Sequence, residues 1–163
     1  MMVRTSVHSI AHLIFIVLII LLIVSCFTFY NYANIKVLLF SGWLCLGFGV
    51  VLFFVSHIYL HKKGGVQKER NFCDTTTLVS SGIYAVVRHP IYLGCMFFVI
   101  GLVLIAQNYL SLVISIPALI LLYLGMLEEE QRNIKKFGND YKRYMQSVPR
   151  MNFLVGIVRF LRK

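Results

Sequence analysis

Four apolar runs, at about residues 10–30, 37–60, 91–107 and 110–127, limit what this chain can fold into more than any other feature. Backbone amides in such runs are withdrawn from water and must bond within their own segment, which selects the helix. The first two runs reach the roughly 20 residues that cross about 30 Å of hydrocarbon; the last two, at about 17 or 18, fall just short. Composition agrees, since 59% apolar and 13% charged residues cannot clothe a water-soluble surface. The expected fold is an all-α integral membrane protein with about four transmembrane helices, a cytoplasmic loop and a C-terminal helical segment. Gln107 and Asn108 form the only strongly polar break between the third and fourth runs. So short a connection makes those two helices an antiparallel hairpin.

The first run could also serve as a secretory signal, because Arg4 precedes it and Ser25-Cys26 imitates a lipoprotein cleavage site. The run is long for a signal, and Ile23 and Val24 are not the small residues that cleavage prefers, so it is read as a retained span. Topology follows from the basic residues. Lys36 is the single Lys or Arg between the first two spans, and none lies between the last two. The positive-inside bias therefore puts both termini and the central loop in the cytoplasm. A net charge of +10 is explained by that bias and by anionic headgroups; no nucleic-acid motif is present. One membrane domain is expected: a two-helix hairpin at 1–60, the cytoplasmic loop at 61–90, a second hairpin at 91–127, and a cytoplasmic C-terminal segment at 128–163. At its end, Arg159, Arg162 and Lys163 alternate with apolar residues from Phe153 to Leu161, as in a helix lying in the membrane interface.

Cysteine and histidine add little. Cys26, Cys45 and Cys95 fall within spans as small packing residues, and Cys73 stands alone in the loop, so neither a disulfide nor a zinc framework is implied. His57 and His61 share a helix face at metal-ligand spacing, but no carboxylate or cysteine joins them at helical spacing, and packing at headgroup level is expected. No metal site is expected. Gly42, Gly47, Gly49 and Gly101 are read first as points of close helix approach.

Chemistry concentrates where costly residues stand at the edge of a span. The loop is polar and irregular from Lys62 to Arg70, with Gly64-Gly65 allowing a bend. Beyond it, Thr76-Thr77-Leu78-Val79-Ser80-Ser81-Gly82-Ile83-Tyr84 is too polar to span and too apolar for a solvated linker, so it is expected to fold back on the membrane surface. Gly82 permits a turn, residues 83–87 suit a short helix, and Pro90 suits the first turn of the third span. Arg88 and His89 then stand at a helix N-terminus, where anionic groups are favoured. At the far end of the hairpin come Glu128, Glu129 and Glu130, half of the six acidic residues in the chain. Successive helix residues diverge by about 100°, so one or two of the three face inward. An inward carboxylate could bind an ammonium group or ribose hydroxyls, or pair with Arg88. The three could instead pair along the helix with Arg132 and Lys135, which explains Glu128 best.

Taken in order, these elements resemble the isoprenylcysteine carboxyl methyltransferase and phospholipid methyltransferase family of membrane enzymes. The resemblance covers about residues 76–150: the segment from Leu78 to Tyr84, Arg88-His89-Pro90-Ile91-Tyr92 with Gly94, Glu129-Glu130, Phe137-Gly138 with Tyr141 and Tyr144, and Val148-Pro149-Arg150. It implies S-adenosylmethionine as methyl donor in a cytoplasmic pocket, a lipophilic acceptor such as an isoprenylcysteine carboxylate or phospholipid amine, and contact with membrane lipids. Carried over by position, Thr76, Thr77, Leu78, Val79, Tyr84, His89, Pro90, Ile91, Tyr92 and Glu129 would bind the cofactor, and Arg88 and Glu130 would organise the reacting end. Eukaryotic prenylcysteine enzymes carry an arginine one helical turn before the glutamate pair, where this chain has Gly125, a departure that weakens a prenylcysteine acceptor and leaves a phospholipid amine, a thiol or another apolar acceptor open. The motif around Arg88 is also similar to that of membrane sterol reductases, which would use NADPH. A non-catalytic scaffold would be favoured if the Arg88 turn and the glutamate pair lay far apart.

Overall fold

The computed structural model describes residues 2–65 and 75–162. Residues 66–74, which include Cys73 and much of the polar loop expected between Lys62 and Arg70, lie outside the described residues. Among the described residues five α-helices follow one another: α1 (Met2–Thr28), α2 (Lys36–Lys63), α3 (Pro90–Ala106), α4 (Tyr109–Ser147) and α5 (Phe153–Leu161), with a 3₁₀ turn at Gly82–Ala85 before α3. Helices α1, α2 and α4 are long and apolar enough to cross a bilayer. At 17 residues, α3 is about 25 Å long and just under the hydrocarbon thickness. All-helical among the described residues, the protein is an integral membrane protein with three helices long enough to span and α3 as a shorter apolar fourth. The helix formed by the fourth run does not end with its apolar residues at Leu127. Glu128 to Lys136 are mostly strong helix formers, so α4 continues to Ser147, broken only at Gly138, whose φ of 57° and ψ of −126° bend the helix.

The chain divides into two compact units, to which α2, α3 and α4 each contribute a part. One unit comprises Met1–Val50 and Cys95–Gly125. Within it, α2 and α3 approach at Gly42 and Gly101. A Cβ on Gly42 would stand 2.9 Å from the Ile105 backbone nitrogen, and one on Gly101 would stand 2.9 Å from the Gly42 carbonyl oxygen. Backbones so close exclude any side chain, which bears out the packing reading for these two glycines; Gly47 has no neighbour within 4 Å. The expected break between α3 and α4 is fixed by its polar residues. Gln107, at φ 55°, accepts from the Ile35 amide and donates to the Ile35 carbonyl. Asn108 accepts from the Ser111 amide at 2.9 Å, capping α4. Ser111 in turn shares a buried 2.7 Å hydrogen bond with Ser25. Leu13, Phe27, Val37 and Val113 remain exposed, as lipid-facing side chains would.

The second unit comprises Val51–Gly94 and Met126–Lys163 and carries most of the polar motifs. Its core is Tyr141, Tyr144 and Val148, against which Leu78, Ile134, Phe137 and Met145 pack. Tyr144 Oη donates to the Tyr84 carbonyl at 2.6 Å, tying α4 to the 3₁₀ turn, and Tyr84 Oη reaches the Ser56 carbonyl at 3.4 Å. Gly82 opens that turn at φ 60°, with the Tyr59 ring where a Cβ would stand. His57 stacks on Phe53, in keeping with a packing role.

Candidate active site

The site grows from a junction of two short backbone segments. The Arg88 amide donates to the Pro149 carbonyl at 3.0 Å, and the His89 amide donates to the Arg150 carbonyl at 3.3 Å. His89 also accepts from the Leu93 amide through its carbonyl, so it caps α3 while Pro90, lacking an N–H, occupies the first helical position. The stiff turn before α3 is thereby paired with the stiff turn after α4. Both arginines are held at one place.

Glu130 meets them there. Its side chain is 3% exposed, and both oxygens are engaged. Oε1 accepts from Arg150 Nε at 3.1 Å and stands 3.2 Å from His89 Nε2 and 3.0 Å from Arg88 Nη1. Oε2 accepts from Arg150 Nη2 at 2.7 Å, completing a two-pronged guanidinium–carboxylate pair. Two guanidinium groups thus face one carboxylate, and the surplus is positive. Arg88 Nη1 is held by its ion-pair contact with Glu130 Oε1, while Nε is buried without a hydrogen-bond partner. Buried N–H groups are rarely left so, and Nε is here a donor available to an anionic or carbonyl oxygen.

The three glutamates separate as the helical geometry demands. Glu128 is exposed and 4.0 Å from Arg132, the pairing expected of it, Glu129 is half-buried, and Glu130 is the inward one. The Arg88 turn and the glutamate pair, which a scaffold would leave apart, are in direct contact. Of the other residues expected at the site, Tyr92 sets its ring edge-on to His89, with centroids 5.8 Å apart, while Pro90 is buried and Ile91 half-buried. Val79 and Tyr84 are buried, and Leu78 packs against the tyrosine core. Thr76 and Thr77 are engaged at the end of α2: their hydroxyls donate to Gly65 and Lys63 carbonyls at 2.9 Å, and both amides donate to the Gly64 carbonyl. Arg150 is the participant that the sequence reading did not assign to the site. It stood there only as the last residue of a matching motif; a cation directly after a proline was the available signal.

Such an arrangement can hold a polar group with a negative end and shield it from water. Comparison with known proteins bears on what that group belongs to. The model of the phospholipid methyltransferase family matches residues 37–140, which take in α2, the Arg88 turn, α3 and Glu130. Among named relatives, the protein-S-isoprenylcysteine O-methyltransferase of Schizosaccharomyces pombe is 30% identical over 117 residues, covering 66% of this chain and 45% of that one. Those of Xenopus laevis and Homo sapiens are 36% and 35% identical over 94 residues, covering 56% of this chain and 32% of theirs. The chain spans between a third and a half of the length of these relatives. No solved structure matches it. With the family match extending over well more than half of its residues and enclosing the Arg88–Glu130 contact, this chain belongs to the phospholipid methyltransferase family.

Proposed function

We propose that this protein transfers a methyl group from S-adenosylmethionine to a lipophilic acceptor at the membrane interface, with its termini and active site on the cytoplasmic side. The observation that carries the reading is the buried ion cluster of Arg88, His89, Glu130 and Arg150, built within a family of methyltransferases. The residues present suit the cofactor. It bears a carboxylate, an ammonium group and a ribose diol; the buried Arg88 Nε, which has no hydrogen-bond partner, matches the first, and the half-buried Glu129 matches either of the others. When bound, it supplies an electrophilic methyl on a sulfonium. Thr76, Thr77, Leu78, Val79, Tyr84 and His89 to Tyr92 would form the binding surface.

Methyl transfer is an in-line displacement, so the protein's work is alignment and exclusion of water. Glu130 holds Arg88 and Arg150 in fixed directions, and the guanidinium groups then orient an acceptor oxygen. With both oxygens already engaged by three cationic or imidazole partners, Glu130 is poorly placed to take a proton from an amine. The cluster therefore favours an acceptor that arrives as an anion, a carboxylate above all. Arg150 offers a second guanidinium in a chain that has Gly125 where prenylcysteine enzymes carry an arginine. In a water-poor site, loss of opposite charges as carboxylate and sulfonium react is favourable, because the reactants' charges are the costlier state there.

Calorimetric titration of the detergent-solubilised protein with S-adenosylhomocysteine, with NADPH as control, tests this. Saturable binding of the former alone is expected. Binding of NADPH alone would move the assignment to a reductase, and binding of neither would overturn it.

A further inference from the structure

Helix α5 carries an apolar face that the protein leaves uncovered. Leu154, Val158 and Leu161, at spacings of four and three, fall on one side and are 76%, 48% and 76% exposed. Arg159 and Arg162 lie on the neighbouring side at about 100° per residue. Asn152 caps the helix, accepting from the Val155 amide at 3.0 Å, so α5 is a defined element at its start. Its buried residue is Gly156, whose missing side chain lets the helix backbone rest on the Val86 carbonyl; a Cβ there would overlap that oxygen. Val86 stands two residues before Arg88. The turn that presents Arg88 is thus held by the backbone bonds its amides donate to the Pro149 and Arg150 carbonyls and by the glycine contact of α5.

Charge identifies what covers the exposed face. Residues 153–163 carry Arg159, Arg162 and Lys163 and no acidic residue. An apolar stripe flanked by arginines on an acid-free segment of an integral membrane protein complements a negatively charged lipid surface. We propose that α5 is a docking helix for the anionic headgroup layer of the protein's own bilayer. Its leucine and valine side chains enter the acyl boundary, its arginines meet lipid phosphates, and its Gly156 contact braces the Arg88 turn from the membrane surface. This surface is separate from the ion cluster, and its test does not depend on methyl transfer.

The test uses the full chain in lipid nanodiscs. Trp43 is the single tryptophan, so Trp43→Phe with Leu161→Trp gives one fluorophore on α5. In discs of bromine-labelled phosphatidylglycerol, emission should be blue-shifted and strongly quenched. In bromine-labelled phosphatidylcholine, quenching should be markedly weaker. Arg159→Gln with Arg162→Gln should weaken partitioning in anionic discs about thirty-fold, from the contribution expected of two arginines at an anionic surface. Water-like, unquenched emission in anionic discs would overturn the proposal. So would a blue shift without quenching that grows with protein concentration, which would mean a second copy covers the stripe. Equal quenching in both lipids, unchanged in the double variant, would overturn the assignment to anionic headgroups.

Discussion

Replacing Glu130 by glutamine keeps the shape of the side chain and removes its charge, which makes it the sharpest probe of the ion cluster. The Arg88 side chain is 8% exposed and would lose its counter-ion. Removing one partner of a buried pair costs about 3–5 kcal/mol. Arg150, at 36% exposure, can turn toward solvent, which places the expected loss at the lower end, about 3 kcal/mol. For a chain of this length each kcal/mol lowers the melting temperature by about 2–4 °C, so a drop on the order of 10 °C is expected. Thermal unfolding of the purified protein in one detergent, followed by near-ultraviolet circular dichroism, measures it. Glu128→Gln is the control, because that carboxylate and its Arg132 partner are 59% and 52% exposed and the pair should contribute about 0.5 kcal/mol or less. Adding Arg88→Met to Glu130→Gln should recover much of the loss, since the uncompensated cation goes with it. Were Glu130→Gln no more harmful than Glu128→Gln, the cluster would not be the desolvated network described, and the reasoning built on it would fail.

Other perturbations separate the site from its support. Tyr144→Phe removes the buried hydrogen bond to the Tyr84 carbonyl and should cost about 0.5–1.5 kcal/mol, read by the same unfolding assay. Gly42→Ala brings a methyl against the α3 backbone and should destabilise by about 1–3 kcal/mol, whereas Gly47→Ala, with open space around it, should not. Glu129→Ala should weaken S-adenosylhomocysteine binding about tenfold, the loss of one charge-assisted hydrogen bond, with an unchanged melting temperature. Unchanged affinity in that variant would remove Glu129 from the cofactor site.

Much of the fold was legible because membrane burial leaves so few choices. The four apolar runs became helices, Pro90 opens α3, and Gln107 and Asn108 fall at the break between α3 and α4. The C-terminal boundary was less legible: the change from apolar to charged residues after Leu127 marks the edge of the span, but a helix of Glu, Gln and Lys continues through it. At the candidate site, periodicity limited how many glutamates could face inward without saying which; the buried contacts with Arg88, His89 and Arg150 settle on Glu130. Arg150 could not be placed beside Glu130 from spacing. Their meeting depends on the backbone bonds between residues 88–89 and 149–150, which no local pattern encodes.

The most direct test of the account is to incubate membranes containing this protein with methyl-labelled S-adenosylmethionine, extract the lipids, and treat the extract with mild alkali. The account predicts label in the organic phase that alkali releases as methanol, the mark of a methyl ester, and its loss with Arg88→Ala. Alkali-stable label would contradict the carboxylate acceptor, and no protein-dependent label in any membrane offered would contradict methyl transfer itself.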